Sequence, residues 1–220
     1  MAIILNIETA TTNCSVSVSR DGKVLSLKEI NDGGYSHAEN LHVFIKEALA
    51  EAGQPNLDAV AVSMGPGSYT GLRIGVSTAK GLCYAWEKPL ISVPTLSILA
   101  GKLATKDFVV PLLDARRMEV YSAVFKDGKQ LRDTKAEIIT DNAFEKFLNQ
   151  GKVNFIGDGA EKCKEVIVHK NAVFSTEIEF PSAKEMAFLA HEKYKIGDFE
   201  DVAYFEPYYL KDFVTTKPKT

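Results

Sequence analysis

The sequence predicts an α/β protein of two lobes, each a copy of one βββαβαβα unit. Two observations lead there. A shift of 106 residues lays Val18, Arg20, Asp21, Gly22, Lys23 and Leu25 on Val124, Lys126, Asp127, Gly128, Lys129 and Leu131. The same shift lays Glu8 on Asp114, each an acidic residue closing the first apolar run of its half. The order of hydrophobic patterns then runs through the same cycle twice.

In the first half, AIILNIET reads as a buried strand, and NCSVSVS alternates Cys14, Val16 and Val18 against serines, the period-2 signature of a second strand. Arg20-Asp21-Gly22-Lys23 is a hairpin turn, so a third antiparallel strand follows. Ser36-His37-Ala38-Glu39 has the spacing of a capping box. The helix it opens, His37 to Ala52, carries Leu41, Phe44, Ile45, Ala48, Leu49 and Ala52 on one stripe and ends at Gly53. A strand over Ala59–Ser63, a glycine-rich turn, a helix over Gly71–Ala85, a strand over Leu90–Val93 and a third helix complete the unit.

From Phe108 the cycle restarts with FVVPLLDA, MEVYSAVF and the turn Lys126-Asp127-Gly128-Lys129. Helices are predicted over Asn142–Asn149, Glu161–Val168 and Ala183–Lys195, the last behind a second capping box, Ser182 to Glu185. The expected division is residues 1–105 and 106–220, with a disordered tail from Thr215 to Thr220.

Composition narrows the function classes. A net charge of −3 gives no basic field to hold a polyanion, so any RNA contact depends on a partner. Cys14, Cys83 and Cys163 are scattered and odd in number, which fits buried thiols of a reducing cytoplasm rather than a disulfide framework or zinc site. The N-terminal apolar run is too short to span a bilayer.

Two βββαβαβα halves are the plan of the actin, hexokinase and Hsp70 superfamily, whose active members hold nucleotide between the halves on turns of D-x-G pattern. Both turns depart from it here. The first reads Glu8-Thr9-Ala10-Thr11-Thr12, without glycine, and the second reads Asp114-Ala115-Arg116-Arg117. Intrinsic ATPase or kinase chemistry is therefore not expected. Glu8 and Asp114 fit either a strand-end carboxylate accepting local hydrogen bonds or a ligand role. Arg116 and Arg117 fit either an anion contact or a solvated pair.

MGPGSYTGLRIG, Met64 to Gly75, lies where a strand ends and a helix begins, but it lacks the spacing of a phosphate-binding loop. Gly71, Gly75 and Ala79 recur every four residues and make a small-residue strip that admits close helix packing, from within the chain or from a partner. Arg73, Ser77 and Lys80 occupy a separate polar face. His37 and His42 are five residues apart, about 140° apart around a helix, and so cannot share an ion. His37 is expected to face a partner or solvent. No Ser, His and Asp pattern suggests a peptidase.

GPGSYTGLRIG resembles the G-P-G-S-[FY]-T-G-[LI]-R-[IV]-G signature shared by the TsaB (YeaZ) family and its catalytic relative TsaD. LNIETATTNCSVSV and PLLDARRMEVYSAVF are similar to the family's two strand pairs, and Glu206-Pro207-Tyr208-Tyr209-Leu210-Lys211 to its E-P-x-Y-L-R closing motif. Glu8, Ala10 and Lys211 stand where the family usually has Asp, Ser and Arg.

The resemblance implies an actin-like (ASKHA, ribonuclease H-like) fold without catalytic residues, metal or intrinsic cofactor. It implies a cytoplasmic subunit that dimerises with TsaD, meets the small ATPase TsaE, forms homodimers when alone, and reaches tRNA through the complex, with ATP or ADP a candidate at the interface. The partner-facing residues it points to lie on two helices: Ser36, His37, Leu41, Phe44 and Ile45, then Gly67, Ser68, Tyr69, Thr70, Gly71, Arg73, Ile74, Gly75, Thr78 and Ala79. Glu8, Thr9, Thr11, Asp114, Arg116, Gly157 and Gly159 are candidates for touching an anion or nucleotide. The rival reading is an autonomous phosphotransferase or a glycoprotease-like metallopeptidase.

Overall fold

β1 (Ile3–Glu8), β2 (Cys14–Arg20) and β3 (Lys23–Ile30) form an antiparallel meander in the computed structural model, which describes residues 1–34 and 36–211. The predicted disordered tail lies outside the described residues. Asp21 and Gly22, at φ of 50° and 76°, make the left-handed two-residue turn whose twist matches paired strands. Asp127 and Gly128 repeat it at 50° and 72°. The rest of the first unit is α1 (His37–Glu51), β4 (Ala59–Gly65), α2 (Tyr69–Trp86), β5 (Leu90–Pro94) and α3 (Thr95–Ala100). The second comprises β6 (Phe108–Asp114), β7 (Glu119–Lys126), β8 (Lys129–Ile138), α4 (Glu145–Leu148), β9 (Val153–Ile156), α5 (Ala160–Lys164), β10 (Ala172–Ser175) and α6 (Ala183–Lys195).

The sheets have orders β3-β2-β1-β4-β5 and β8-β7-β6-β9-β10, so the duplication read from the hairpin turns holds in topology. In each, the first three strands are antiparallel and the last two join parallel.

Period-2 alternation sends each strand's side chains to two different layers. Leu5, Ile7, Val16, Val18, Val60 and Val62 pack under α1 and α2. Ile4, Ala59, Ala61, Ile91 and Val93 pack instead against Met186 and Ala190 of α6, a helix from the end of the chain. The serines of β2 point the same way, fully buried: Ser17 donates to Ala183 O at 2.8 Å, and Ser15 accepts from Ala183 N at 3.0 Å. Reciprocally, Leu96 and Leu99 of α3 cover the second sheet through Val109, Leu113, Ala123, Phe125 and Ile156. The two halves thus exchange helices.

Three local expectations need correction. Ser36 makes no side-chain cap, and the first turn of α1 instead uses its carbonyl, which accepts from Glu39 N and Asn40 N. Phe144, at φ 63°, turns the chain immediately before α4 and is buried, which cuts the predicted Asn142–Asn149 helix to Glu145–Leu148. The predicted Glu161–Val168 helix ends at Lys164, where Val166 N and Ile167 N both turn onto Cys163 O and Ile167 enters the core. α6 has its predicted bounds, although Ser182 Oγ caps Lys184 N at 3.2 Å rather than bonding to Glu185.

Met186 is fully buried between α6 and the first sheet. Met186→Ala should therefore cost about 2–5 kcal/mol in urea unfolding, as a core truncation does, with the unfolding of the first lobe affected although the residue belongs to the second half of the sequence.

Candidate functional site

A cleft of ≈ 510 Å³ opens between the lobes where the first strands of both sheets end. Its walls are the β1–β2 turn, the β4–α2 loop, the β6–β7 turn and the chain's last described residues.

The first wall is built by backbone contact. Glu8 Oε1 accepts from Ala10 N at 2.7 Å, folding the turn back on the strand end. Ser68 N donates to Ala10 O at 2.7 Å, and Thr9 Oγ1 donates to Gly71 O at 2.8 Å. A Cβ on Gly67 would stand 2.3 Å from Ala10 O, one on Gly71 2.1 Å from Thr9 O, and one on Gly75 2.2 Å from Thr9 Oγ1. The glycines of the signature are therefore spent on close approach to the chain's own turn. Ser68 Oγ caps α2 by accepting from Gly71 N at 3.2 Å.

This geometry packs the small-residue strip inside the chain. Gly71, Gly75 and Ala79 are buried, as are Leu41 and Ile45, and Gly71 faces His37 of α1 as well as Thr9, so the strip packs within the chain. His37 is also buried, 1% exposed, and its Nε2 donates to Thr11 O at 2.7 Å; it faces neither partner nor solvent. Burial lowers its pKa, against the contact with Thr11 O and the charge of Asp32. Thr70 and Arg73 are exposed, while Ser36, Phe44, Gly67, Ser68, Tyr69, Ile74 and Thr78 are half-buried. Arg73 lies over the Tyr69 ring and donates to its hydroxyl at 3.1 Å. The exposed stripe of small residues on α2 is Ser77, Gly81 and Ala85, with open space at Gly81, and Val43 is exposed on α1. The same four-residue spacing marks this stripe in the sequence; only the direction of the face decides between the two.

The second wall solves the same problem differently. Asp114 Oδ1 accepts from Arg116 N at 2.7 Å, the counterpart of Glu8 and Ala10. Lys162 Nζ pairs with Asp114 and donates to Arg117 O at 2.9 Å and Glu119 O at 2.7 Å. Arg116 and Arg117 are exposed and left-handed, at φ of 70° and 53°. Asp158 Oδ1 accepts from Asp114 N at 2.9 Å, and burial first, then the Asp114 charge, pushes its carboxyl up to about 6. Gly157 and Gly159 pack on β6: a Cβ on Gly157 would lie 2.1 Å from Leu112 O, and Gly159 N donates to that oxygen at 3.0 Å.

The closing motif joins both walls. Glu200 N donates to Leu90 O, Lys80 Nζ to Ala203 O and Phe205 O, and Tyr208 N to Met64 O. Tyr209 meets Tyr69 at a ring separation of 5.1 Å, and Lys211 pairs with Glu119 of the other lobe. Among the described residues no group of three or more His, Cys, Asp or Glu side chains is placed to hold a metal ion, and no helix is long and apolar enough to cross a membrane. All three cysteines are free and buried.

The family model for TsaD, tRNA N6-adenosine threonylcarbamoyltransferase, matches residues 33–218. The tRNA threonylcarbamoyladenosine biosynthesis protein TsaB of Escherichia coli K12 is 30% identical, over 97% of this chain and 96% of that protein. The chain belongs to the TsaB (YeaZ) family. TsaB of Haemophilus influenzae is 29% identical over 97% of this chain and 95% of its own. YeaZ from Pseudomonas aeruginosa superposes with a TM-score of 0.84 at 25% identity, over 96% of this chain and all of that one. A polyphosphate/ATP-glucomannokinase from an Arthrobacter strain, at 12% identity and TM-score 0.50 over 90% of this chain, shares the actin-like fold.

Glu8 gives a pH test. Burial pushes its carboxyl from 4.5 up to about 7, opposed by the Ala10 amide, the nearby Ser63 hydroxyl and the charge of Lys102. The folded state thus prefers the protonated acid, and that stability is present below pH 4.5 and lost as pH rises through 7. Glu8→Gln should gain on the parent between pH 5 and pH 8, by up to about 3 kcal/mol, in paired denaturation curves. A constant difference across that range would mean that Glu8 titrates normally.

Proposed function

We propose that this TsaB-family chain is a non-catalytic dimerising subunit of the assembly that transfers threonylcarbamoyl from its AMP adduct to the adenosine beside the tRNA anticodon. The observation that carries this reading is the occupation of both nucleotide turns by the chain's own groups. The β4–α2 glycines press on the β1–β2 turn, and the Lys162 ammonium fills the β6–β7 turn, where it is bound by Asp114 and two carbonyls. Glu8 and Asp114 each accept from the amide two residues on, which uses them locally. These contacts also argue against the autonomous phosphotransferase. The metallopeptidase reading loses its natural ligands, because His37 is buried against Thr11 O while His42 is exposed elsewhere on α1.

The partner in this reading is TsaD, with TsaE joining the cycle, a homodimer forming in their absence, tRNA reached through the complex, and ATP or ADP bound at the shared interface in the cytoplasm. The face that serves is the outer side of α1 and α2: Val43, Phe44, Thr70, Arg73 and Ile74 with the Ser77, Gly81 and Ala85 stripe. Small exposed residues let a partner helix approach closely. A stable complex buries on the order of 1,600 Å².

Two glycine variants separate the faces. Gly81→Arg should leave unfolding unchanged and reduce association with itself and with TsaD, seen by size exclusion with light scattering. Gly75→Asp should instead lower stability by about 1–3 kcal/mol or more through the clash with Thr9. Unimpaired association of Gly81→Arg would place the interface elsewhere. Reconstituted tRNA modification by TsaD and TsaE should require this chain, and full activity without it would end the subunit reading.

A further inference from the structure

A second cavity, also ≈ 510 Å³, lies at the far end of the first lobe from the interlobe cleft, where α1 and α2 both terminate. Leu49, Pro55 and Leu57 give it an apolar base, Trp86 supplies an indole wall 38% exposed to solvent, and Lys46 and Lys88 stand on its rim with Gln54 and Asn56. Each part is held by a helix end. Gln54 N donates to Leu49 O at 2.8 Å with Gln54 in the left-handed region at φ 50°, which closes α1. At the end of α2, Glu87 takes φ 52° and Lys88 N donates to Cys83 O at 3.0 Å, so Trp86 and Lys88 flank one tight turn. The caps satisfy Leu49 O and Cys83 O at the two helix ends, and the rim lysines stand where two helix C-termini favour cations.

The charges on the rim are uncompensated. Neither Lys46 nor Lys88 makes an ion pair among the described residues, whereas Glu51, on the same helix as Lys46, is bound to Lys28 at 2.7 Å. An aromatic wall, an aliphatic base and two ammonium groups select a ligand that is flat and apolar at one end and anionic at the other. The volume falls in the range of small-molecule sites. We propose that this cavity is a binding site for a small aromatic anion, of the aromatic carboxylate or sulfonate class, with the ring against Trp86 and the acid between Lys46 and Lys88. The site adjoins the proposed partner face at Val43 and Ala85 but shares no residue with it or with the nucleotide turns.

Trp86 is the only tryptophan in the sequence, so excitation energy transfer from tryptophan reports on this cavity in the intact chain. The probe is anilinonaphthalene sulfonate, with uncharged phenylnaphthylamine as its control. The expected result is saturable one-site transfer to the sulfonate, weakened about tenfold or more in the Lys46→Gln/Lys88→Gln double variant and restored in Lys46→Arg/Lys88→Arg, while the neutral probe binds both alike. Three results would overturn the proposal: no saturable transfer in the parent, equal sulfonate affinity in the glutamine variant, or an equal loss for the neutral probe. Both lysines are free of tertiary hydrogen bonds among the described residues, so the double variant keeps the fold on which the comparison rests.

Discussion

The backbone clamp between the β1–β2 turn and the β4–α2 loop fixes the rest of the first lobe. Thr9 and Ala10 present their carbonyls to a surface from which Gly67 and Gly71 have removed every side-chain atom, and a Cβ at either glycine would fall inside 2.5 Å of an oxygen. Because the fit is backbone to backbone, it sets the position of α2 with little slack. That in turn decides which side of α2 is core and which is free, and it fixes the turn whose Thr11 carbonyl ties down His37 at the start of α1. Interlobe cleft and outer helix face are both consequences of this contact.

The two lobes answer one structural demand in two ways. Each first strand ends in an acid that accepts from the amide two residues ahead, at 2.7 Å in both cases. In the first lobe the turn is then pinned by glycine-enabled contact. In the second it carries two left-handed arginines and is pinned by a lysine ammonium reaching from α5. Duplication preserved the hydrogen-bond plan while the means of filling the turn diverged.

Much of this fold was legible because its signals are local. The Asp-Gly turns at 21–22 and 127–128 demand left-handed residues, and the alternation in NCSVSVS shows in the spelling of the chain. Local pattern makes the short helices of the second lobe too long, because the burial of Phe144 and Ile167 limits them and no local signal announces it. Of the turn residues legible in the sequence, Thr11, Asp114 and Arg116 line the cleft, whereas Glu8, Thr9, Gly157 and Gly159 are buried and do not, and Lys162 and Leu112 reach the second turn only through packing. Spacing does not tell the buried strip Gly71, Gly75, Ala79 from the exposed one Ser77, Gly81, Ala85, which have the same period and differ only in what lies opposite. Cleft residues from the closing motif stand over 80 positions from the strand they pair with, beyond the reach of any spacing argument.

The helix exchange also constrains how the protein is made. The ribosome delivers β1 through β5 long before α6, so the underside of the first sheet must wait for its cover until nearly the whole chain has emerged. That face is lined on β1 and β2 by Asn6, Ser15, Ser17 and Ser19, which bond to one another and to the start of α6 in the finished molecule. Hydroxyls and an amide there can hold water during synthesis and release it when α6 docks. The waiting apolar surface is thereby confined to Ile4 and the β4 and β5 side chains, which leaves less of the nascent sheet to clump with its neighbours on a polysome.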